Sequence, residues 1–148
     1  MKGRLLVAAQ FCCLAVLVLL PAGGAVTPGR GFTSTVLSAA ATVVLALAFI
    51  ALRPSITVFP EPRDGVPFIR HGIYAWVRHP MYLAVLLFGA AMVCTRWTVE
   101  SALVWLLLYV DLQLKHRYED RLLAQRWPDA STYQSQVGAL LPRLHVRR

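Results

Sequence analysis

The chain has 148 residues, of which 57% are hydrophobic and 15% charged, with a formal net charge of +8. Soluble domains carry about a quarter charged residues, so this composition excludes disorder and points to a small integral membrane protein of one domain, 1–148. Three cysteines, two of them adjacent in an apolar run, exclude a disulfide scaffold.

In chain order, Leu5–Leu20 is apolar and uncharged up to Pro21 and the Gly23-Gly24 pair. A helix crossing ~30 Å of hydrocarbon needs about 20 residues, and the small residues up to Val26 bring this stretch to that length. Lys2 and Arg4 ahead of it, and Pro-Ala-Gly-Gly-Ala behind it, also fit a signal peptide cut after Ala25; charge counting leaves both readings open. Thr33–Leu52 is long enough outright. Residues 80–95 and 99–114 are shorter and closely joined, which reads as a helical hairpin. Glu100 and Asp111 in the last stretch are expected at interfaces or facing the bundle interior.

Basic residues test this arrangement. Four passes with both termini cytoplasmic (about 5–26, 33–52, 80–95 and 99–114) put thirteen Lys and Arg on one side and two on the other. That is the positive-inside pattern of an all-α protein in a bacterial-type inner or plasma membrane. The basic excess therefore sets topology and meets anionic membrane lipid; nucleic acid is not an expected partner.

Nearly all ionisable chemistry falls in Arg53–Pro80 and in the C-terminal segment 115–148, both cytoplasmic in this topology. Pro54, Pro60, Pro62 and Pro67 forbid a long helix in the first of these. Pro80 suits the first turn of a helix, where its missing N–H needs no partner, and places His79 near the N-cap. Free N–H groups there, with Arg78 and His79, suit an anion such as a carboxylate. The plainer reading is an Arg-His pair before a Pro-started helix, with Tyr82 in an aromatic belt. In the second segment Lys115 and Glu119 share a helix face, and Trp127-Pro128 ends that helix. The histidines show no metal-ligand spacing, and no phosphate-binding Gly-rich loop is present, so no metal is expected.

His71-Gly-Ile-Tyr-Ala-Trp-Val-Arg-His-Pro-Met-Tyr82, an apolar hairpin, Glu119-Asp120, an aromatic-Pro step and a Tyr-containing tail together resemble the isoprenylcysteine carboxyl methyltransferase family of small membrane methyltransferases. The resemblance runs from about Arg53 to Leu144. It implies a cytosol-facing S-adenosyl-L-methionine pocket closed by the C-terminal segment, with a lipophilic small-molecule or prenylated acceptor entering sideways from the bilayer. Carried over residue by residue, it implies cofactor contacts at Val66, Pro67, Phe68, Ile69, Tyr74, His79, Pro80, Met81, Tyr82 and Glu119. Lys115 falls where the family has a basic residue near substrate, commonly Arg, and is expected with Arg78 as the catalytic cations. Asp120 for Glu, Trp127-Pro128 for Phe-Gly and Val137-Gly138 for Val-Pro are departures that bear on the acceptor. A carboxylate acceptor needs no base, and no dedicated base is evident. Sterol reductases carry a similar Arg-His-Pro-x-Tyr run, so an NADPH-dependent reductase is the alternative enzyme; a non-enzymatic membrane protein on the same scaffold is the third reading.

Overall fold

The computed structural model describes residues 2–52 and 68–143. Among them are five α-helices: α1 Lys2–Leu19, α2 Pro28–Leu52, α3 Pro80–Arg96, α4 Val99–Arg126 and α5 Ala130–Gln136, with a 3₁₀ turn at Gly72–Ala75. There is no strand among the described residues, only one parallel bridge between Val77 and Gly138.

Helix bounds differ from the expected passes in α1, α2 and α4; α2 starts at Pro28, ahead of Thr33. The first helix stops at Leu19 rather than running on toward Val26, because Pro21 follows and Gly24 takes φ 148°. The fourth continues as one rod from Val99 to Arg126, since nothing between Thr98 and Pro128 breaks it. Four passes were expected; by length and composition one helix among the described residues, α2, is long and apolar enough to cross a membrane, while Gly3–Leu19 and Pro80–Arg96 are apolar but shorter. Only 11% of the apolar window in α2 is buried, so it is not the core helix of a soluble protein. Phe11, Phe32, Phe49, Phe88 and Leu107 are likewise exposed, giving the bundle an apolar outer surface.

Packing runs α2 on α3, α3 on α4 and α4 on α1; α1 and α2, consecutive in the chain, are not packed neighbours. Leu17, Leu86, Leu108, Leu112 and Leu140 form the core. Gly89 lets α3 and α4 approach: a Cβ there would sit 2.8 Å from Cδ1 of Trp105, whose indole N–H donates to Leu86 O at 2.9 Å. Their turn is tight. Trp97 ends α3 in the left-handed region at φ 50°, and Thr98 and Ser101 cap α4 reciprocally. Arg96 from this turn donates to the carbonyls of Leu17 and Val18, satisfying the open end of α1.

At the opposite end the two polar segments fold over one another. Phe68 stacks on Trp127 and meets Tyr133 edge-on, each with ring centroids 5.3 Å apart. The N–H groups of Arg78 and His79 donate to Gly138 O at 2.9 Å and Ala139 O at 3.0 Å. Gly138 is required by this crossing, because a Cβ there would lie 1.9 Å from Leu141 O.

Candidate active site

Pro80 is the first helical residue of α3 and His79 its N-cap, as the missing proline N–H predicts. This start aims the Arg78–Tyr82 run at the side of α4 that carries Lys115, Glu119 and Asp120. Between them lies a cavity of about 260 Å³. The polar part of its wall is Tyr74, Arg78, His79, Tyr82, Lys115 and Glu119, with Pro80 and Met81 beside them. Its apolar part comes from Leu45 and Leu52 of α2, Val85 of α3 and Phe11 of α1. Among the described residues α1 and α2 are not packed on one another, and both contribute to the apolar side of the cavity.

Eight of the twelve candidate residues named from sequence line this cavity. Phe68 does not; it is occupied by Trp127 and Tyr133, and the adjacent Ile69 is half-buried away from the lining. Val66 and Pro67 lie outside the described residues.

Two carboxylates organise the polar wall. Glu119 accepts from the Tyr82 hydroxyl at 2.8 Å and stands 3.4 Å from Nδ1 of His79 through the same oxygen, Oε2. Its other oxygen has no protein donor among the described residues, and its side chain keeps 27% exposure, so it is open to a ligand. Asp120 is spent on the protein: Nη2 of Arg78 is 2.9 Å away, Nε2 of His79 3.0 Å and Nδ1 of His116 3.6 Å. Burial raises the Asp120 carboxyl, but the adjacent His116 imidazole, the hydrogen bond from His79 and the Arg78 charge outweigh this and hold it well below the usual carboxylate range. For His79, burial opposes the charged form, yet hydrogen bonding to Asp120 and Glu119 prevails and pushes its pKa up to about 9. His79 is thus a buried imidazolium clamped between neighbouring carboxylates. Its ring lies parallel to Tyr82 with centroids 5.3 Å apart.

The C-terminal segment locks this arrangement. Arg78 also donates from Nη1 to Gln134 O, Gln134 donates to Asp120 O at 2.7 Å, and the Tyr133 hydroxyl donates to Tyr74 O at 2.6 Å. Burial lifts the Tyr133 hydroxyl to about 12, so it stays a donor at neutral pH.

Several site residues are not legible in the chain. Gln10, midway along α1, accepts from Nζ of Lys115 at 2.7 Å. Lys115 is 1% exposed and lies 4.9 Å from the centroid of the Tyr82 ring, so its ammonium is held between an amide oxygen and an aromatic face. A polar residue in an apolar run was the available signal for Gln10; its partner 105 positions away was not. His79, His116 and Asp120 bring metal-ligand atoms within 4.8 Å of one another, which histidine spacing did not foretell, but the Arg78 guanidinium already lies on Asp120.

The fold and site define a small helical protein with an apolar exterior and a charged cavity at one end of the bundle. The family model for the isoprenylcysteine carboxyl methyltransferase (ICMT) family matches residues 32–125. This covers more than half of the chain, and the chain belongs to that family. Methyl transfer is therefore the chemistry of its class. No curated protein matches the sequence as a relative.

Proposed function

We propose that the protein is an S-adenosyl-L-methionine-dependent methyltransferase acting on a lipophilic acceptor held in the membrane. The observation that carries this reading is one cavity joining a charged wall, built by Glu119, Arg78 and Lys115, to an apolar side to which α1 and α2 both contribute.

The donor set fits the cofactor. Glu119 keeps one carboxylate oxygen for an ammonium or ribose hydroxyls. Nε of Arg78 is buried without a hydrogen-bond partner among the described residues, and a bound carboxylate satisfies it. Tyr74 and Tyr82 supply aromatic walls for adenine or for a sulfonium. When bound, the cofactor supplies an electrophilic methyl group. The chain's own residues position and desolvate: the His79–Asp120–Arg78 cluster fixes the start of α3, and Phe11, Leu45 and Val85 keep water from an apolar tail. Lys115, held by the Gln10 amide oxygen and the face of Tyr82, is the cation that meets the acceptor's nucleophilic oxygen. A carboxylate acceptor arrives ionised, so the absence of a base in this reading costs nothing. The topology that suits it places the cavity and both termini on the cytoplasmic face, by the positive-inside pattern.

Calorimetry of the detergent-purified protein tests the reading. Saturable heat with S-adenosyl-L-methionine and none with NADPH is expected. Heat with NADPH alone would make it a reductase, and heat with neither would leave the scaffold without catalysis. Incubation of membranes with methyl-labelled cofactor then identifies the acceptor fraction.

A further inference from the structure

A second cavity lies on the far face of the α3–α4 pair. It measures about 620 Å³ and is apolar along most of its wall. Its floor is two helical stripes: Leu83, Leu86, Leu87 and Ala90 on α3 recur at i, i+3, i+4 and i+7. On α4, Trp105, Tyr109, Gln113 and Arg117 recur every four residues. From Trp105 to Arg117 the groove runs about 18 Å, more than half the ~30 Å hydrocarbon thickness. Its composition changes along that length. The deep end is Ala90 and Trp105; the other end has Gln113, His116, Arg117 and, from the C-terminal segment laid over it, Arg143. Arg117 is exposed, while the buried His116 turns Nδ1 toward Asp120 and pairs Nε2 with Gln113. Helix α3 separates this groove from the candidate active site, and His116 is the buried residue that touches both the groove and Asp120.

We propose that this groove is a binding site for an anionic phospholipid of the surrounding bilayer. One acyl chain lies along the α3 and α4 stripes, and the phosphate meets Arg117 and Arg143. Charge complementarity selects this occupant: the apolar stretch ends in two guanidiniums, which match a tail and an anionic headgroup in that order. The inference rests on the membrane reading above but not on methyl transfer, and its test uses no cofactor.

The full-length protein is placed in nanodiscs of phosphatidylcholine and phosphatidylglycerol, released gently, and its retained lipid counted by native mass spectrometry. Wild type is expected to retain phosphatidylglycerol over phosphatidylcholine by on the order of tenfold. Arg117→Gln with Arg143→Gln abolishes that preference. Ala90→Phe, which fills the deep end without changing charge, removes the retained lipid altogether. Arg121→Gln, an exposed arginine on the same helix that does not line the groove, leaves both unchanged. Equal retention of the two lipids by wild type overturns the proposal. So does an equal loss of preference in Arg121→Gln, full retention in Ala90→Phe, or a dimer in the same spectra that Ala90→Phe dissolves. Thermal melting of each variant, followed by circular dichroism, confirms that it is folded; calorimetry with S-adenosyl-L-methionine separately reports the fate of the methyltransferase reading.

Discussion

The two ends of α3 use arginine in different ways. At its C-terminal end Arg96 donates to the carbonyls of Leu17 and Val18 and closes the end of α1. At its N-terminal side Arg78 pairs with Asp120, which also holds His79, and together they border a cavity. One cation completes backbone hydrogen bonding. The other is one member of a buried network of charged groups, and it keeps a donor unspent. Both ends are tied by hydrogen bonds; the candidate ligand site lies at one.

Substitutions sharpen this contrast. The largest effect is expected for Glu119→Ala, which removes the carboxylate oxygen that is without a protein donor among the described residues: S-adenosyl-L-methionine affinity falls by at least ~100-fold in calorimetry, with helix content retained. Unchanged affinity would remove Glu119 from the cofactor site. Next is Asp120→Asn, which leaves Arg78 and His79 buried with less compensation and lowers cofactor affinity on the order of tenfold together with the melting temperature. The same cluster has a pH signature. His79 has a raised pKa, so its contribution is complete below the ordinary imidazole value and is lost as pH rises through about 9. Asp120 is depressed, so its contribution is present above the ordinary carboxylate value and is lost as pH falls below it. Melting temperature measured against pH should therefore decline on the alkaline side near pH 9 in wild type and at a lower pH in Asp120→Asn, where Glu119 alone holds the imidazolium. A flat alkaline limb in wild type would contradict the clamped imidazolium.

Gln10→Leu is expected to act more narrowly. It frees Lys115 from its amide partner, so the acceptor KM rises several-fold while cofactor affinity holds; Lys115→Ala lowers turnover more than cofactor affinity. The reverse split in kinetics would move the pair to the cofactor. The smallest effect on the site belongs to Arg96→Gln, which lowers the melting temperature by a few degrees and leaves cofactor affinity unchanged. A loss of affinity there would erase the distinction between the two ends.

Legibility in the sequence follows the range of each interaction. Pro80 marked the start of α3 and Trp127-Pro128 the end of α4, because proline acts on its own backbone and its immediate neighbour. The first helix was read too long, since apolar content continues to Val26 while Pro21 and Gly24 break the backbone. Glu119 was legible through its motif. Asp120 beside it was read as part of the acidic pair and as a departure, with no role assigned, yet it pairs with residues 41 and 42 positions away that no local pattern connects. Gln10 was invisible for the same reason at greater distance. The matched family region begins at residue 32, so α1, which supplies Gln10 and Phe11 to the cavity, lies outside it.

The crossing at Gly138 has a consequence for inheritance. Any side chain there collides with main-chain oxygen, which has no rotamer to yield, and the same residue's carbonyl receives the Arg78 amide. Codon changes at this position thus reach the candidate site through the peptide backbone alone, and the tail must uncoil to admit even a methyl. In a library of all twenty amino acids, survivors here should be a single letter.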